Sequence, residues 1–195
     1  MRQPIHVLGF AGSLRRGSYN RALLQAADAL LPDGMTLETF DLSPIPLYND
    51  DVRASGFPTA VQEFRERIKA ADALLIATPE YNYSVSGVLK NALDWASRPD
   101  ANKHVPLKNK PTAIMGASSG MFGTVRAQMH LRQIFVYTDT PLVSQPQVLL
   151  ANAKDKFDAN LHLIDEDSRG FLRGLLERLA ALVTAQQAET ASAAR

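Results

Sequence analysis

The sequence contains no cysteine among its 195 residues. Without a thiol there is no disulfide, no thiolate metal ligand, no iron–sulfur cluster and no cysteine nucleophile. Any redox chemistry of this protein therefore needs a bound cofactor. The four histidines, His6, His104, His130 and His162, are scattered along the chain without the spacing of metal ligands. We therefore predict no metal site.

Net charge and long apolar runs are also nearly absent. The 21 Lys and Arg balance 20 Asp and Glu to a net charge of +1, so the overall field would not recruit nucleic acid or an anionic membrane. No run approaches the roughly 20 apolar residues of a membrane span, and the chain begins MRQPIHVLGFAGS without a cleavable apolar segment. We expect a cytoplasmic protein with neither nucleic acid nor a membrane as partner.

Hydrophobic residues make up 46% of the chain, enough for one substantial core, and they form alternating strand-length and helix-spaced runs. This alternation predicts an α/β fold, a three-layer sandwich with a five-stranded parallel sheet and helices on both faces. We take the strand order to be 2-1-3-4-5. The predicted strands cover residues 5–11, 35–42, 73–77, 112–117 and 142–150. The second is more polar and the last contains Pro146, so both are expected at sheet edges. We expect a single domain over residues 1–187 and a frayed tail over 188–195.

The spacing of apolar residues also predicts which side chains the helices bury. Trp95 and Met129 lie among leucines at helical spacing and are predicted to be core residues rather than cofactor contacts. In the last predicted helix, residues 168–187, Phe171 and Leu182 are expected to face inward.

The stretch Gly9–Asn20, GFAGSLRRGSYN, connects the first predicted strand to the first predicted helix. Its small and hydroxylic residues, its arginines and the helix start that follows favour an anion-binding loop suited to a phosphate monoester. It is not a Walker A loop, because Ser18 and Tyr19 follow Gly17 where Lys and Ser or Thr are required. Its glycine spacing also differs from the dinucleotide fingerprint. On these residues alone, an ordinary glycine-containing turn remains an alternative.

Two further polar loops follow the third and fourth predicted strands. Parallel sheets bind ligands beyond the carboxyl ends of their strands, at the point where the winding reverses, here between the first and third strands. The Pro79–Tyr83 loop offers backbone N–H groups and aromatic surface, and the Ser118–Gly120 loop has little bulk to keep a ring away. A phosphate loop beside surfaces for a flat, hydrogen-bonding ring predicts FMN as the ligand.

Three segments, GSLRRGSYNRAL, PEYNYSVSGVLKNALDWASRP and GASSGMFGTVRAQMHLRQ, occur in this order. They resemble the corresponding segments of the NAD(P)H-dependent FMN reductases and quinone reductases, a family with the flavodoxin-like fold, and the resemblance fades after about residue 152. It implies that FMN contacts Ser13, Arg15, Ser18 and Asn20 through its phosphate, Pro79, Glu80, Tyr81 and Asn82 through its isoalloxazine ring, and Ser118 and Gly120 beside that ring. Tyr19 is also expected to bind the cofactor. Arg16 has no matched role. Ser86 replaces a proline of many relatives, a change expected to loosen the loop beside the flavin.

The resemblance also implies an activity. Such an enzyme passes hydride from NADPH or NADH to bound FMN and then reduces a quinone or similar small acceptor in a ping-pong cycle, with the chemistry at flavin N5 and no catalytic side chain. Relatives pair as homodimers or homotetramers, which implies that Tyr83 and Arg126 lie at a contact near the flavin, with Glu80.

Two other functions have to be weighed. A flavodoxin-type electron carrier would bind FMN without oxidising a nicotinamide, but such carriers are usually strongly acidic, whereas this chain has a pI of about 8.0. A nucleotide-binding module without catalysis is disfavoured by the missing Walker lysine and dinucleotide fingerprint.

Overall fold

A computed structural model describes residues 4–193 and contains seven strands within them. The strands are β1 (Ile5–Ala11), β2 (Met35–Phe40), β3 (Ala73–Ala77), β4 (Glu80–Tyr81), β5 (Ser84–Val85), β6 (Thr112–Ala117) and β7 (Val148–Leu150). Five of them form a parallel sheet in the order β2-β1-β3-β6-β7, and β4 and β5 pair as a separate antiparallel hairpin. Because β6 and β7 are the fourth and fifth strands of the main sheet, the predicted order 2-1-3-4-5 is confirmed.

Helices cover both faces of this sheet. They are α1 (Tyr19–Asp28), α2 (Asp50–Ala54), α3 (Thr59–Ala70), α4 (Gly87–Ala96), α5 (Val125–Tyr137) and α6 (Glu166–Ala193). Successive strand residues point to opposite faces. Val7 therefore packs in the core under α1 and α6, while Leu8 packs in the core under α3, α4 and α5. The two cores give the three-layer sandwich that the sequence predicts.

The two predicted edge strands lie at the edges of the sheet, and both are shorter than predicted. β2 ends at Phe40 rather than residue 42, and β7 has three residues, because Pro146 interrupts the run that begins at Leu142. Leu142 itself makes a single isolated bridge to Thr112. Proline donates no N–H to a ladder, and so it confines regular pairing to the residues beyond it.

Three predictions about helices need correction. The last helix continues to Ala193, beyond its predicted end at residue 187, and residues 194–195 lie outside the described residues. Phe171 is 56% exposed instead of facing inward. Met129 is 52% exposed, because the buried stripe of α5 runs through Ala127, Leu131 and Phe135. At 3.6 residues per turn, Met129 lies roughly 200° around the helix from Ala127.

Other expectations about the helices hold. Trp95 is fully buried, as predicted, and its ring N–H donates to the carbonyl of Pro46 at 2.8 Å. The short helix α2 and the β4–β5 hairpin were not predicted, because segments of two to five residues carry too little periodicity to detect.

Candidate functional site

The loop after β1 presents backbone N–H groups that the protein does not use. Within residues 4–193, the N–H groups of Ser13 through Gly17 donate no hydrogen bond. Ser18 begins α1 as its N-cap, where its Oγ accepts from the N–H groups of Asn20 and Arg21 at 3.2 and 3.4 Å. A loop of free N–H groups at a helix N-terminus is an arrangement that binds phosphate.

Asn20 fixes this loop against the neighbouring part of the sheet. Its side-chain amide donates to the carbonyl of Ala117 at 2.9 Å and accepts from the N–H of the same residue at 2.9 Å. The Asn20 side chain is buried, and Ala117 is the last residue of β6. Asn20 therefore joins the start of α1 to the end of β6, so that the loops after β1 and β6 keep a fixed separation.

The Pro79–Tyr83 segment forms the β4–β5 hairpin rather than an irregular loop. Its two central residues, Asn82 and Tyr83, have φ values of 51° and 64°, the backbone of a type I′ turn. The hairpin leans on the loop after β1, because the hydroxyl of Tyr81 lies 3.2 Å from that of Ser13.

Glu80 connects the hairpin to the N-terminus of α5. Its carboxylate accepts from the backbone N–H groups of Arg126 and Ala127 at 2.9 and 3.2 Å and pairs with Nη1 of Arg126 at 3.2 Å. The Thr124 side chain that precedes α5 makes no capping hydrogen bond. Glu80 thus supplies a negative charge where the helix dipole favours one.

Arg126 lies between two aromatic rings at the edge of the site. Its guanidinium carbon is 4.0 Å from the ring centre of Tyr83 and 4.4 Å from that of Phe122, a cation–π contact on each side. Tyr83 belongs to the hairpin and Phe122 to the loop after β6. The arginine therefore joins these two elements by stacking as well as by its ion pair with Glu80.

The loop after β6 is held from behind by the segment that follows β7. The N–H groups of Asn152 and Ala153 donate to the carbonyls of Gly120 and Ser118 at 3.1 and 2.9 Å. Asn152 adopts the left-handed conformation, with φ 49°, which asparagine tolerates better than most residues.

The same segment is anchored at its far end by the half-buried carboxylate of Asp165. Lys156 donates to Asp165 at 2.8 Å, and the hydroxyl and N–H of Ser168 bond to the same carboxylate oxygen. The hydrogen bond from Lys156, followed by those from Ser168, lowers the pKa of Asp165 from its usual 3.8 to about 2.

This lowered pKa predicts an acid-dependent contribution to stability. A carboxylate whose folded-state pKa is depressed stabilises the fold above its unfolded pKa and loses that effect as the pH falls through the folded value. Asp165→Asn is therefore expected to lower Tm at pH 7, and the difference from wild type should shrink as pH falls from about 4 to about 2. Thermal melts across this range measure it. Asp33→Asn is the control, because the Asp33 side chain is exposed and makes no ion pair or side-chain hydrogen bond within residues 4–193. A pH-independent Tm difference for Asp165→Asn would contradict the assignment.

One cleft lies at the carboxyl ends of β1, β3 and β6, enclosed by the loop after β1, the β4–β5 hairpin and the loop after β6. Its cavity has a volume of about 210 Å³. Nine of the eleven predicted cofactor contacts line it: Ser13, Arg15, Ser18, Tyr19, Asn20, Pro79, Glu80, Tyr81 and Ser118. Asn82 and Gly120 do not line it, and Ala117 and Ser119 do. Larger cavities of about 540 and 840 Å³ lie beside Asp72 at the amino ends of the central strands, away from the winding reversal.

Comparison with known proteins gives a consistent result. A family model described as NADPH-dependent FMN reductase matches residues 5–155. The chain belongs to this family. It is 55% identical over 179 residues to an NAD(P)H-dependent FMN reductase of Pseudomonas aeruginosa, covering 92% of this chain and 95% of that protein. It is 45% identical over 187 residues to an NAD(P)H:quinone oxidoreductase of Solanum tuberosum, covering 92% and 94%.

A solved structure agrees with the sequence relatives. The flavoenzyme NAD(P)H:(acceptor) oxidoreductase of Paracoccus denitrificans superposes with a TM-score of 0.83 at 32% identity, covering 92% of this chain and 97% of that one. As a member of the FMN reductase family, the chain is an NAD(P)H-dependent FMN or quinone oxidoreductase, and membership implies FMN and NAD(P)H as its cofactors. The flavodoxin-like fold and the family resemblance are thus confirmed.

The residues of the cleft fit the phosphate of FMN. Five consecutive N–H groups lack internal partners, and Arg15 forms no ion pair within residues 4–193. Gly12 leaves no room for a side chain, because a Cβ there would lie 2.8 Å from Oγ of Ser86 and 2.9 Å from Cβ of Leu89. Donors with no acceptor of their own, next to a cationic side chain, suit an anionic ligand.

Several residues at this site were not identified individually from the sequence. Ser119 was predicted only as part of the Ser118–Gly120 loop, Ala117 carries no chemical signal of its own, and Phe157, whose ring lies 5.3 Å from that of Tyr19, is distant in sequence. Ser86, which was expected to loosen its loop, makes a contact that a proline there could not make. Its buried hydroxyl donates to the carbonyl of Gly12 at 2.7 Å and so ties two loops together.

The described part of the chain, residues 4–193, lacks both a membrane-spanning helix and a cluster of metal ligands. No helix between residues 4 and 193 is both long and apolar enough to cross a membrane. The same residues contain no cluster of three or more His, Cys, Asp or Glu that could hold a metal ion.

Proposed function

We propose that the cleft binds FMN, with its phosphate in the loop after β1 and its isoalloxazine ring between the hairpin and the loop after β6. The row of unused N–H groups from Ser13 to Gly17 is the observation that carries this proposal. Arg15 and the N-terminus of α1 add positive charge at the same point. Ser13, Ser18, Tyr19 and Asn20 surround the phosphate, and Pro79, Glu80, Tyr81, Asn82, Ser118 and Gly120 surround the ring.

Bound FMN supplies the two-electron chemistry, accepting a hydride from NADPH or NADH and reducing a quinone or similar small acceptor. The chain holds the cofactor and leaves one side of it accessible. Tyr81 and Asn82 are exposed, so a flat substrate can approach beside this part of the hairpin. We propose that the nicotinamide and the acceptor use this open side in turn, as a ping-pong cycle requires. Relatives named quinone reductases or benzoquinone reductases support a quinone-like acceptor.

The experiment that tests this function combines cofactor binding with turnover. Purified protein is expected to take up one FMN per chain and to oxidise NADPH or NADH rapidly when a quinone is added. A protein that ignores FMN would refute the proposal. A protein that binds FMN but does not oxidise a nicotinamide would behave as the flavodoxin-type carrier instead.

A pair of arginine variants tests the proposed phosphate loop, which is the loop after β1 with the free N–H groups of residues 13–17. Arg15→Ala is expected to raise the Kd for FMN about 10- to 100-fold, because a hydrogen bond to a charged group contributes about 1.5–3 kcal/mol. Arg16→Ala is the matched control, since Arg16 is exposed and does not line the cavity. Fluorescence titration of the apoprotein measures both constants. Equal losses in the two variants would show general electrostatic attraction rather than a contact made by Arg15.

We also infer that the protein is a homodimer or homotetramer whose contact includes the outer surface of α5 and the hairpin. Large apolar residues stand exposed there: Tyr83 at 66%, Met129 at 52%, Val136 at 83% and Tyr137 at 84%. Clustered apolar surface of this kind marks interaction sites. Arg126 and Tyr83 stack at one end of this surface, which would place the contact beside the proposed flavin site.

Sedimentation tests the assembly. Wild type is expected to be dimeric or tetrameric at micromolar concentration, and Val136→Glu is expected to shift it toward monomer because a charge would be buried in the contact. Ile164→Glu is the control, since Ile164 is 57% exposed but precedes α6 on the opposite layer. A wild type that sediments as a monomer would contradict the inference.

A further inference from the structure

Ser86 joins two elements of the cleft that would contact different ends of a ligand. It is the N-cap of α4, where its Oγ accepts from the N–H of Leu89 at 3.3 Å and donates to the carbonyl of Gly12 at 2.7 Å. Its side chain is 1% exposed. Gly12 opens the loop with the free N–H groups, whereas Val85, directly before Ser86, ends the hairpin. The hydroxyl therefore connects the two elements directly.

Gly12 is restrained on both sides of its α-carbon. Its N–H donates to the carbonyl of Ala77, at the end of β3, at 2.9 Å, and its own carbonyl accepts from Ser86. The backbone at Gly12 packs closely enough that an added Cβ would lie 3.0 Å from the ring of Pro79. With the Ser86 hydroxyl removed, the Gly12 carbonyl would be buried without a partner, which is costly enough to move the loop.

We propose that Ser86 is a positioning residue that sets the separation between the phosphate loop and the hairpin, so that one FMN molecule contacts both. This inference rests on the proposed function. A ligand that joins two subsites gains the second contact only when their spacing matches its own length. Preformed spacing also spares the ligand the cost of ordering the loop. Ser86 therefore matters for FMN, which reaches both subsites, and not for riboflavin, which lacks the phosphate.

Ser86→Pro is the most informative substitution at this position. Ser86 has φ −62° and ψ 147°, a conformation that proline adopts without strain. Val85 before it is in a strand, as the residue before a proline prefers, and the N–H of Ser86 donates no hydrogen bond within residues 4–193. Ser86→Pro thus removes the hydroxyl while keeping the backbone, and the stiffer unfolded chain offsets part of the lost stability.

Two other variants complete the series. Ser86→Ala removes the hydroxyl without fixing the backbone. Ser84→Ala is the matched control, because the Ser84 hydroxyl lies in the same hairpin but bonds Nδ1 of His130 at 2.8 Å rather than the phosphate loop.

The test is titration of each apoprotein with FMN and, separately, with riboflavin, together with a thermal melt of each variant. The Kd for FMN is expected to rise about tenfold in both Ser86 variants, while the Kd for riboflavin changes by less than about twofold. Ser84→Ala should match wild type for both flavins, and Ser86→Pro should lose less Tm than Ser86→Ala because its unfolded chain is stiffer. Equal losses for the two flavins, or no loss for either, would overturn the positioning role. A wild type that binds neither flavin would instead refute the proposed FMN site.

Discussion

Replacing Asn20 by aspartate is expected to weaken FMN binding by more than about 100-fold and to destabilise the fold by about 3 kcal/mol. Asparagine donates to the Ala117 carbonyl and accepts from the Ala117 N–H in one buried contact. Aspartate has nearly the same shape, but it places a carboxylate oxygen against the Ala117 carbonyl. The new charge is also buried beside the loop proposed to hold a phosphate, so burial and repulsion act in the same direction.

The chain offers a matched control for this substitution. Asn91 on α4 makes the same pair of contacts elsewhere, since its side chain accepts from the N–H of Tyr48 at 2.7 Å and donates to the carbonyl of Pro46 at 2.8 Å. Asn91→Asp is expected to reduce stability but to leave the Kd for FMN unchanged. Urea unfolding gives the free energies, and fluorescence titration gives the Kd values. If Asn20→Asp bound FMN as wild type does, Asn20 would have no part in shaping the phosphate loop.

The second large effect is expected from Glu80→Ala, which should destabilise the protein by about 2–3 kcal/mol, since hydrogen bonds to charged groups contribute about 1.5–3 kcal/mol. The substitution removes the only side-chain partner that the structure shows for the first N–H groups of α5 within residues 4–193, and it unpairs Arg126. Only 9% of the Glu80 side chain is exposed, so water replaces little of what is lost. Because the hairpin is attached to α5 through this carboxylate, the Kd for FMN is expected to rise about tenfold as well.

Glu63→Gln is the comparison that shows how far the loss of stability in the Glu80 variant depends on burial of the ion pair. Glu63 pairs with Arg67 at 3.8 Å, one turn away on α3, and its side chain is 57% exposed. A surface pair of this kind contributes about 0.3–0.5 kcal/mol, so its loss should barely move the urea midpoint. Glu80→Gln tests the capping separately, because one amide oxygen can still accept from the helix while the charge is gone. Equal stability of Glu80→Ala and Glu63→Gln would mean that Glu80 is not a helix cap.

Much of the site was predictable because its chemistry is local in sequence. Ser13, Arg15 and Ser18 lie within six positions of one another, and a loop between a strand and a helix directs their N–H groups and side chains to one point. The Pro79–Tyr83 and Ser118–Gly120 loops were placed at the same edge because parallel strands bring their carboxyl ends together. Nine predicted residues line the cavity for these reasons.

The sequence misled where a local pattern is compatible with two different structures. Met129 and Phe171 fit an apolar helix face as well as their buried neighbours do, yet a helix buries only the stripe that its neighbours cover. Ser86 was expected to loosen its loop because it replaces a rigid residue. The hydrogen bond of the Ser86 hydroxyl is made to Gly12, 74 residues away, and no local sequence pattern reveals that contact.

The sequence by itself determined the alternation of strands and helices, the edge position of the second and last strands, the loops that form the cleft and the family to which the chain belongs. These features depend on hydrophobic periodicity and on residues close together along the chain. Only the tertiary structure decided how the phosphate loop is fixed, through Asn20 to Ala117, Ser86 to Gly12 and Glu80 to the start of α5. Each of these bonds joins segments between 46 and 97 residues apart, so its geometry exists only after the sheet has brought the loops together. The stretch from Gly9 to Asn20 thus specifies a loop with free N–H groups, which we propose binds a phosphate, and the rest of the fold holds that loop in place.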